Sequence, residues 1–310
     1  MTSNSRTAPA AGVAAGAPAQ LWPGLAFALI GSIAFSGKAI IVKLGFRYGA
    51  DAVTLLMLRM LFALPLFVLL AWWAGRGKPA LTRRDGLVVL GLGFSGYYLA
   101  SFLDFAGLAY VSASFERLIL YLNPTIVLAL GVVLFKRRVS ARQLGALAVS
   151  YAGVLLVFGH ELTLDGSNVV LGGALVFASA VSYATYLVFS GEEVRRLGSL
   201  RLTGLATTVA CVLCIGQFLL LRPVGLVLEL PTPVLWLSLL NATACTFAPV
   251  ILVMMAIERL GASIAAQTGM IGPMSTILMS VLILDEPFTP WVAAGTVCVL
   301  LGIGLLTRVR

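Results

Sequence analysis

Apolar runs of about twenty residues, separated by short polar breaks, fill this 310-residue chain from Leu21 onward. Only 11% of its residues are Asp, Glu, Lys or Arg, and its mean hydropathy is +1.03. A soluble domain carries roughly 25% charged residues, so this chain cannot cover a water-facing surface. The sequence therefore predicts an all-α membrane protein that is embedded in the lipid bilayer.

Breaks at Gly, Pro and charged clusters divide the chain into ten predicted transmembrane helices with short connections. A tail rich in Ala, Ser, Thr and Pro, residues 1–20, precedes them and is expected to be disordered. The spans cover roughly residues 22–44, 51–74, 85–107, 112–135, 141–159, 169–190, 199–221, 232–257, 261–284 and 290–307.

The distribution of Lys and Arg predicts the orientation. If the N-terminus, the even-numbered connections and the C-terminus share one side, that side holds 15 of the 21 basic residues. The other side holds only Lys43, Arg47 and Arg222. Because cytoplasmic loops carry the excess of basic residues, both termini are predicted to face the cytoplasm. This placement accounts for the net charge of +9 without a nucleic-acid partner.

The chain contains an internal repeat. One shift of 149 residues pairs Ala113 with Ala262, Ser114 with Ser263, Pro124 with Pro273, and Gly153 with Gly302. The chain then divides into two five-helix halves, residues 21–160 and 161–310. Because five is odd, the second half enters the membrane from the opposite side. Inverted repeats are typical of transporters with a substrate site near the midplane between the halves.

The segment "AIERLGASIAAQTGMIGPMSTILMSVLILDEPFTPWVAAGTVCVLLGIGLL" resembles the EamA-type signature of the drug/metabolite transporter superfamily. The first half departs from that pattern. Its sequence "LFKRRV" stands where the signature has an acidic L-x-E at the end of the helix, and Glu116-Arg117 is not part of the signature. The resemblance implies a multi-pass protein of the bacterial inner membrane. In length and layout the chain is most similar to ten-helix amino-acid exporters, including the aromatic-amino-acid branch. The positions that match are Pro273, Leu284, Glu286, Gly295 and Gly302.

Five ionisable residues, Lys38, Arg59, Asp104, Glu116 and Arg117, lie within predicted spans at similar depth. Charges at that depth cost about 2.5–3.5 kcal/mol or more near the bilayer centre, so they normally face an interior or a cavity. One interpretation is mutual neutralisation. The other leaves one cation, Lys38 or Arg117, to meet a substrate carboxylate. We expect Lys38 to be this ligand because it lies deepest, and the other four to form an ion-pair network.

Polar and aromatic positions at helical spacing predict faces that line a substrate route. The alternative is that the small polar residues support close helix packing and that Met fills the core. The predicted substrate-binding residues, besides Lys38, are Tyr97, Tyr98, Ser182, Tyr183, Tyr186, Asn241, Thr246, Gln267 and Met270.

Two prolines lie mid-span at equivalent positions of the halves. Proline removes one intrahelical hydrogen bond and kinks a helix. The pairs Asn123-Pro124 and Gly272-Pro273 are therefore predicted to act as a gate or hinge, with a static bend as the alternative.

The residues and the resemblance together predict a carrier that exports small zwitterionic metabolites, most of all amino acids, by alternating access. The direction rests on the resemblance alone. A multidrug or cationic-compound exporter using Asp104 or Glu116 is the alternative, and a nucleotide-sugar-type carrier is a weaker one. An enzyme is not expected, because His160 is isolated and no paired catalytic carboxylates lie in matching helices. No cofactor or metal is expected, and a monomer already contains both halves.

Overall fold

The computed structural model describes residues 18–136, 140–165, 167–260, 262–269 and 271–308, so the predicted tail falls almost wholly outside it. Within these ranges the chain forms helices joined by short connections. Two π-helical segments interrupt them, Phe94–Leu99 between α3 and α4 and Thr243–Phe247 between α11 and α12. The helices are α1 Pro18–Arg47, α2 Ala52–Gly75, α3 Arg83–Gly93, α4 Ala100–Leu108, α5 Ala113–Leu120, α6 Asn123–Phe135, α7 Ala141–Asp165, α8 Ser167–Leu197, α9 Ser199–Leu221, α10 Leu226–Glu229, α11 Thr232–Ala242, α12 Ala248–Leu260, α13 Ala262–Gly269, α14 Gly272–Leu284 and α15 Pro290–Arg308.

Eight helical stretches of the described chain are long and apolar enough to cross a membrane. Two shorter apolar helices, Gly272–Leu284 and Pro290–Leu305, follow them. Large apolar side chains such as Trp72, Leu220 and Leu282 are exposed on the outside of the bundle, where lipid is a suitable solvent. The all-helical membrane architecture is therefore confirmed, while the number of ten crossings stays a prediction.

Side-chain caps explain where several helices begin. Asp51 accepts a hydrogen bond from the Thr54 amide at 2.8 Å at the start of α2. Thr82 and Asp85 cap each other's backbone at the start of α3, and Ser112 accepts from the Phe115 amide at 3.0 Å at the start of α5. Each cap satisfies an amide that has no partner within its own helix.

The mid-span prolines start new helices instead of kinking continuous ones, which corrects the prediction of a simple kink. α5 ends before Pro124, which lies in the first turn of α6, and Pro273 lies likewise in the first turn of α14. A proline fits a first turn because its missing N–H is not needed there. At the first break, Asn123 Nδ2 donates to the Leu120 carbonyl and Thr125 Oγ1 to the Leu122 carbonyl, both at 2.7 Å.

The backbone irregularities of the two halves recur at one constant spacing. Each second member lies 149 residues after the first. The pairs are the π-segment starts Phe94 and Thr243, the helix starts Ala113 and Ala262, the starts after the breaks Asn123 and Gly272, and the left-handed C-caps Lys136 and Asp285.

Helix packing is also paired. α1 of the first half packs on α12 and α14 of the second half, and α8 of the second half packs on α4 and α6 of the first. Two further contacts, α2 with α9 and α7 with α15, join the halves along their length. The core between α2 and α9 includes Met60, Phe67, Cys211 and Cys214, so these two cysteines serve as buried apolar side chains.

The connections alternate between two ends of the bundle. At the first, which we call the Asp51 end, Arg222 pairs with Asp51 at 2.5 Å and Arg47 donates to the Leu284 carbonyl. Burial raises the pKa of Asp51, but hydrogen bonds from Thr54 and Arg222 outweigh it and hold the pKa below its usual value.

The opposite end of the bundle, the Arg196 end, joins the connection after α2 to the one after α8. Arg196 pairs with Asp85 and Glu193. Lys78 Nζ donates to the Leu197 carbonyl at 3.3 Å. The bundle therefore has polar contacts at both ends and apolar flanks between them.

Close packing of α7 on α15 depends on glycine. A Cβ at Gly302 would lie 2.7 Å from the Ala146 carbonyl oxygen, whereas one at Gly159 would have no neighbour within 4 Å. We expect Gly302→Ala to destabilise the protein by about 1–3 kcal/mol through overpacking. Gly159→Ala is the control and should be neutral or slightly stabilising. Thermal unfolding of the two variants in detergent tests this; equal unfolding midpoints would contradict it.

Candidate functional site

A buried cluster of three charges joins α1, α4 and α5. Lys38 Nζ lies 2.5 Å from Asp104 Oδ2 and 3.7 Å from Glu116 Oε1. The Glu116 side chain is wholly buried, and those of Asp104 and Lys38 are 3% and 11% exposed. We call these three residues the Lys38 cluster.

Arg59 lies on α2 beside this cluster but contacts neutral groups. Its Nη2 donates to Ser101 Oγ at 3.2 Å, and its guanidinium lies 5.0 Å from the centroid of the Phe105 ring. Among the described residues no carboxylate lies within ion-pair distance of it. Arg59 therefore keeps a buried positive charge stabilised by a hydroxyl and an aromatic face.

Arg117 points away from the Lys38 cluster and toward α14. Its Nε donates to Thr276 Oγ1 at 2.9 Å and its Nη2 to the Ser36 carbonyl at 3.5 Å. No carboxylate of the described chain forms an ion pair with it. Arg117 is only 5% exposed, so its guanidinium is a buried cation held by neutral groups.

A partly open cavity of about 200 Å³ lies beside Arg117. Its walls come from α1, α12 and the two helix breaks. The lining residues are Gly31, Ser32, Phe35, Ser36, Arg117, Tyr121, Val253, Gly269 and Gly272.

The two helix breaks face each other across this cavity. Tyr121 Oη, at the first break, donates to the Gly269 carbonyl at the second break at 3.1 Å. Ser36 Oγ donates to the Gly272 carbonyl at 2.8 Å, and a Cβ at Gly272 would lie 2.8 Å from Tyr121 Oη. Of the predicted hinge residues, Gly272 thus lines the cavity, while Asn123, Pro124 and Pro273 form the breaks around it.

The structure places Lys38 and Arg117 in the opposite roles to those predicted. Lys38, predicted to be the free ligand, is paired with Asp104, and Arg117, predicted to be in the network, faces the cavity. The depth of a residue in the membrane does not show which of these cations is paired and which faces the cavity. Neighbours on a helix point to different faces, so Glu116 faces Lys38 while Arg117 faces Thr276 and the cavity.

The predicted tyrosine face packs against a helix and not against the cavity. Tyr97 and Tyr186 join their hydroxyls at 3.2 Å, and Tyr183 stacks on Tyr186 with ring centroids 5.6 Å apart. Ser182 Oγ donates to the Ser95 carbonyl at 2.7 Å. These contacts belong to a cluster near the Arg196 end that includes Leu197.

The other predicted substrate-binding residues lie apart from the cavity or outside the described residues. Tyr98 packs on Phe94 with ring centroids 5.4 Å apart. Thr246 Oγ1 donates to the buried Asn241 carbonyl at 2.8 Å, next to the second π segment. The side chain of Gln267 and the whole of Met270 are outside the described residues.

Sequence reasoning missed Tyr121, Ser32 and Ser36, which line the cavity. A signal was present for each. Tyr121 stands two residues before the Asn-Pro break, and the two serines are one helical turn apart on an otherwise apolar helix.

Glu286 ties the second half to the first at the Asp51 end. Its carboxylate accepts from the Ala113 amide at 2.8 Å, the Ser114 amide at 3.3 Å and Ser114 Oγ at 3.1 Å. Ser114 also bonds Ser280 Oγ at 2.8 Å. A carboxylate is well suited to the N-terminus of α5, whose free amides carry partial positive charge. We call this set of contacts the Glu286 clasp.

We expect Glu286→Gln to loosen the start of α5 by about 1–2 kcal/mol, because a neutral amide accepts fewer and weaker hydrogen bonds there. Hydrogen exchange measured by mass spectrometry should show faster exchange in the peptide that contains Ala113 and Ser114. Glu258→Gln, on the exposed face of α12, is the matched control. Unchanged exchange in the Glu286 variant would contradict the capping role.

A cavity beside a buried guanidinium, walled by two interrupted helices, is typical of one class of membrane protein. Secondary transporters bind substrate at such breaks, where helix ends and freed backbone groups meet. The chain therefore has the architecture of a small-molecule membrane transporter.

Comparison with known proteins agrees with this class. The model of the EamA-like transporter family matches residues 22–159 and again residues 170–308, so the chain belongs to this family. It is 31% identical to "Uncharacterized transporter YcbK" of Bacillus subtilis (strain 168), over 85% of this chain and 86% of that protein. It is 24% identical to "Uncharacterized transporter YetK" of the same organism, over 90% and 83%.

A solved structure described as "Crystal structure of protein" has the same fold. It covers 92% of this chain and 96% of its own, with a TM-score of 0.59 and 16% identity. Family membership makes the protein a multi-pass membrane transporter for small molecules and not an enzyme. None of these names states a substrate.

Proposed function

We propose that this transporter exports small zwitterionic metabolites, with amino acids as the main substrates. The observation that carries the proposal is Arg117, a buried guanidinium at the wall of the cavity, held by a hydroxyl and a carbonyl. Guanidinium groups bind carboxylates in bidentate geometry. A substrate carboxylate at Arg117 would supply the anionic partner that the described residues do not.

The charge balance of the buried residues on α1, α2, α4 and α5 supports the same substrate class. Lys38, Arg59 and Arg117 are three buried cations, while Asp104 and Glu116 are two buried carboxylates. With both carboxyls ionised the sum is one positive charge, and a proton on one of them makes it two; an anionic group neutralises this excess at low cost. A cationic drug would add to the excess, and this disfavours the multidrug alternative.

The size of the cavity also favours a small metabolite. Its volume of about 200 Å³ is below the roughly 300–1,000 Å³ of pockets that hold drug-sized ligands. The side chain of an amino acid would rest against Phe35, Tyr121 and Val253.

We further infer that transport works by alternating access between two inverted five-helix repeats with ten crossings. The two separate matches to the family model and the constant 149-residue spacing of the backbone irregularities support this. The breaks at Asn123-Pro124 and Gly272-Pro273 are our proposed hinges, because they face each other across the cavity. The excess of basic residues in the even-numbered connections supports cytoplasmic termini in a bacterial inner membrane. One chain holds both repeats, so a monomer suffices.

Proteoliposomes test the substrate class. Vesicles loaded with unlabelled phenylalanine, leucine or alanine are placed in the labelled amino acid, and exchange is measured with and without a cationic dye as competitor. Exchange that other amino acids inhibit and the dye does not is expected. Transport of the dye without exchange of any amino acid would overturn the proposal. Release from preloaded cells that do or do not express the protein tests export.

A further inference from the structure

The Lys38 cluster contains more carboxylate than its one ammonium can compensate. Asp104 Oδ2 is 2.5 Å and Glu116 Oε1 3.7 Å from the same Nζ, which places the two oxygens within about 6 Å of each other. Two carboxylates this close in a medium of low dielectric constant do not both ionise readily. The cluster is therefore a place where one carboxyl group can hold a proton.

Glu116 is the group without donors. No described group donates a hydrogen bond to either of its side-chain oxygens, and Asp104 Oδ1 also has no partner. Glu116 is 0% exposed, so water does not supply the missing donor. An ionised, wholly buried carboxylate without donors is costly, and a proton on one oxygen removes the charge and provides an O–H donor.

The charged groups around the pair come from several helices. Lys38 on α1 faces both carboxyls, and Arg59 on α2 lies near Asp104. Arg117 follows Glu116 on α5 but points to α14. At the N-terminus of α5, Glu161 of α7 and Glu286 accept hydrogen bonds from residues 112–114. Asp104 already has the Lys38 ammonium at 2.5 Å whereas Glu116 has no donor, so the proton belongs on Glu116.

We propose that Asp104 and Glu116 form a proton-binding site, with one exchangeable proton on Glu116, and that its loading couples transport to a pH gradient. On binding, a hydronium ion gives up one proton to a Glu116 oxygen, so that an O–H bond forms there and a water molecule is left, while Asp104 keeps its contact with Lys38. On release, that bond breaks and the proton returns to water at the other side. The link to transport rests on the proposed function, whereas the proton site itself does not.

Infrared spectroscopy tests the site on the empty protein in lipid. Spectra taken between about pH 6 and pH 9, where exposed carboxyls are already ionised, should show a protonated carboxyl band that disappears as pH rises. Glu116→Gln should lose this band, and Glu258→Gln, an exposed control, should keep it. The absence of a titrating band in the wild type, or its survival in Glu116→Gln, would overturn the proton site whatever the substrate is.

The coupling has a separate test with phenylalanine in proteoliposomes. In the wild type an imposed gradient of one pH unit should change net phenylalanine flux by about tenfold, because one pH unit is a tenfold ratio of proton activity. Glu116→Gln should retain phenylalanine exchange at equal pH on both sides and lose the response to the gradient. A gradient response that Glu116→Gln retains, or that the wild type lacks while exchange is active, would overturn the coupling. Absence of all exchange would instead contradict the proposed substrate class and leave the infrared result to stand.

Discussion

Arg117→Ala is expected to raise the dissociation constant for amino acids by about 30- to 100-fold. A hydrogen bond to a charged group contributes roughly 1.5–3 kcal/mol, and the guanidinium is our proposed partner of the substrate carboxylate. Binding measured by calorimetry, or half-saturation of exchange, gives the ratio. Arg117→Lys should lose less than the alanine variant, because it keeps the charge but not the bidentate fork.

A matched control for Arg117 lies on α12. Arg259 is also held by neutral groups, donating to the Met255 carbonyl at 3.1 Å and lying 4.9 Å from the centroid of the Phe27 ring. It is not among the residues that line the cavity. Arg259→Ala should therefore leave amino-acid affinity within about twofold. Equal losses in the Arg117 and Arg259 variants would show that Arg117 does not meet the substrate.

The second large effect is on stability. Lys38→Met is expected to destabilise the protein by about 3–5 kcal/mol, because it leaves buried carboxylates without their cation. The double variant Lys38→Met/Asp104→Asn should recover much of this loss, since it removes the pair together. The loss should also shrink as pH falls, because protonation neutralises the uncompensated carboxylates. Thermal unfolding in detergent measures all three effects.

Lys78→Met is the control for the stability effect. Lys78 is exposed at the Arg196 end, where its ammonium donates to a backbone carbonyl. Its replacement should change stability by no more than about 0.5 kcal/mol. If Lys38→Met unfolds at the wild-type temperature, the ammonium does not compensate the buried carboxylates.

Features that depend on local chemistry were predictable from the sequence. Apolar length predicts the membrane helices, and the prolines at positions 124 and 273 mark both helix breaks, although as new helix starts and not as kinks. The 149-residue shift read from a few residue pairs also describes the spacing of the π segments and the left-handed caps.

The candidate site was less predictable, because it depends on which way a helix face points after packing. Glu116 and Arg117 lie at nearly the same depth, yet one meets Lys38 and the other the cavity. The tyrosines at positions 183 and 186 do share one face, but that face meets Tyr97 across a helix contact. Helical periodicity identifies a face, and only tertiary packing decides whether that face meets a neighbouring helix or a cavity.

The Glu286 clasp has a thermodynamic consequence, because the residue type that forms it is not repeated at the equivalent position of the sequence. In the other half the equivalent position is Arg137, which cannot accept hydrogen bonds from helix amides. A carrier whose two ends are held by different contacts, the Glu286 clasp at one and the pair of Arg196 with Asp85 at the other, has two resting conformations of unequal free energy. A difference of about 1.4 kcal/mol gives a tenfold ratio of populations. We therefore expect the unloaded protein to favour the conformation in which its Asp51 end is closed. Substrate would then bind first from the Arg196 end.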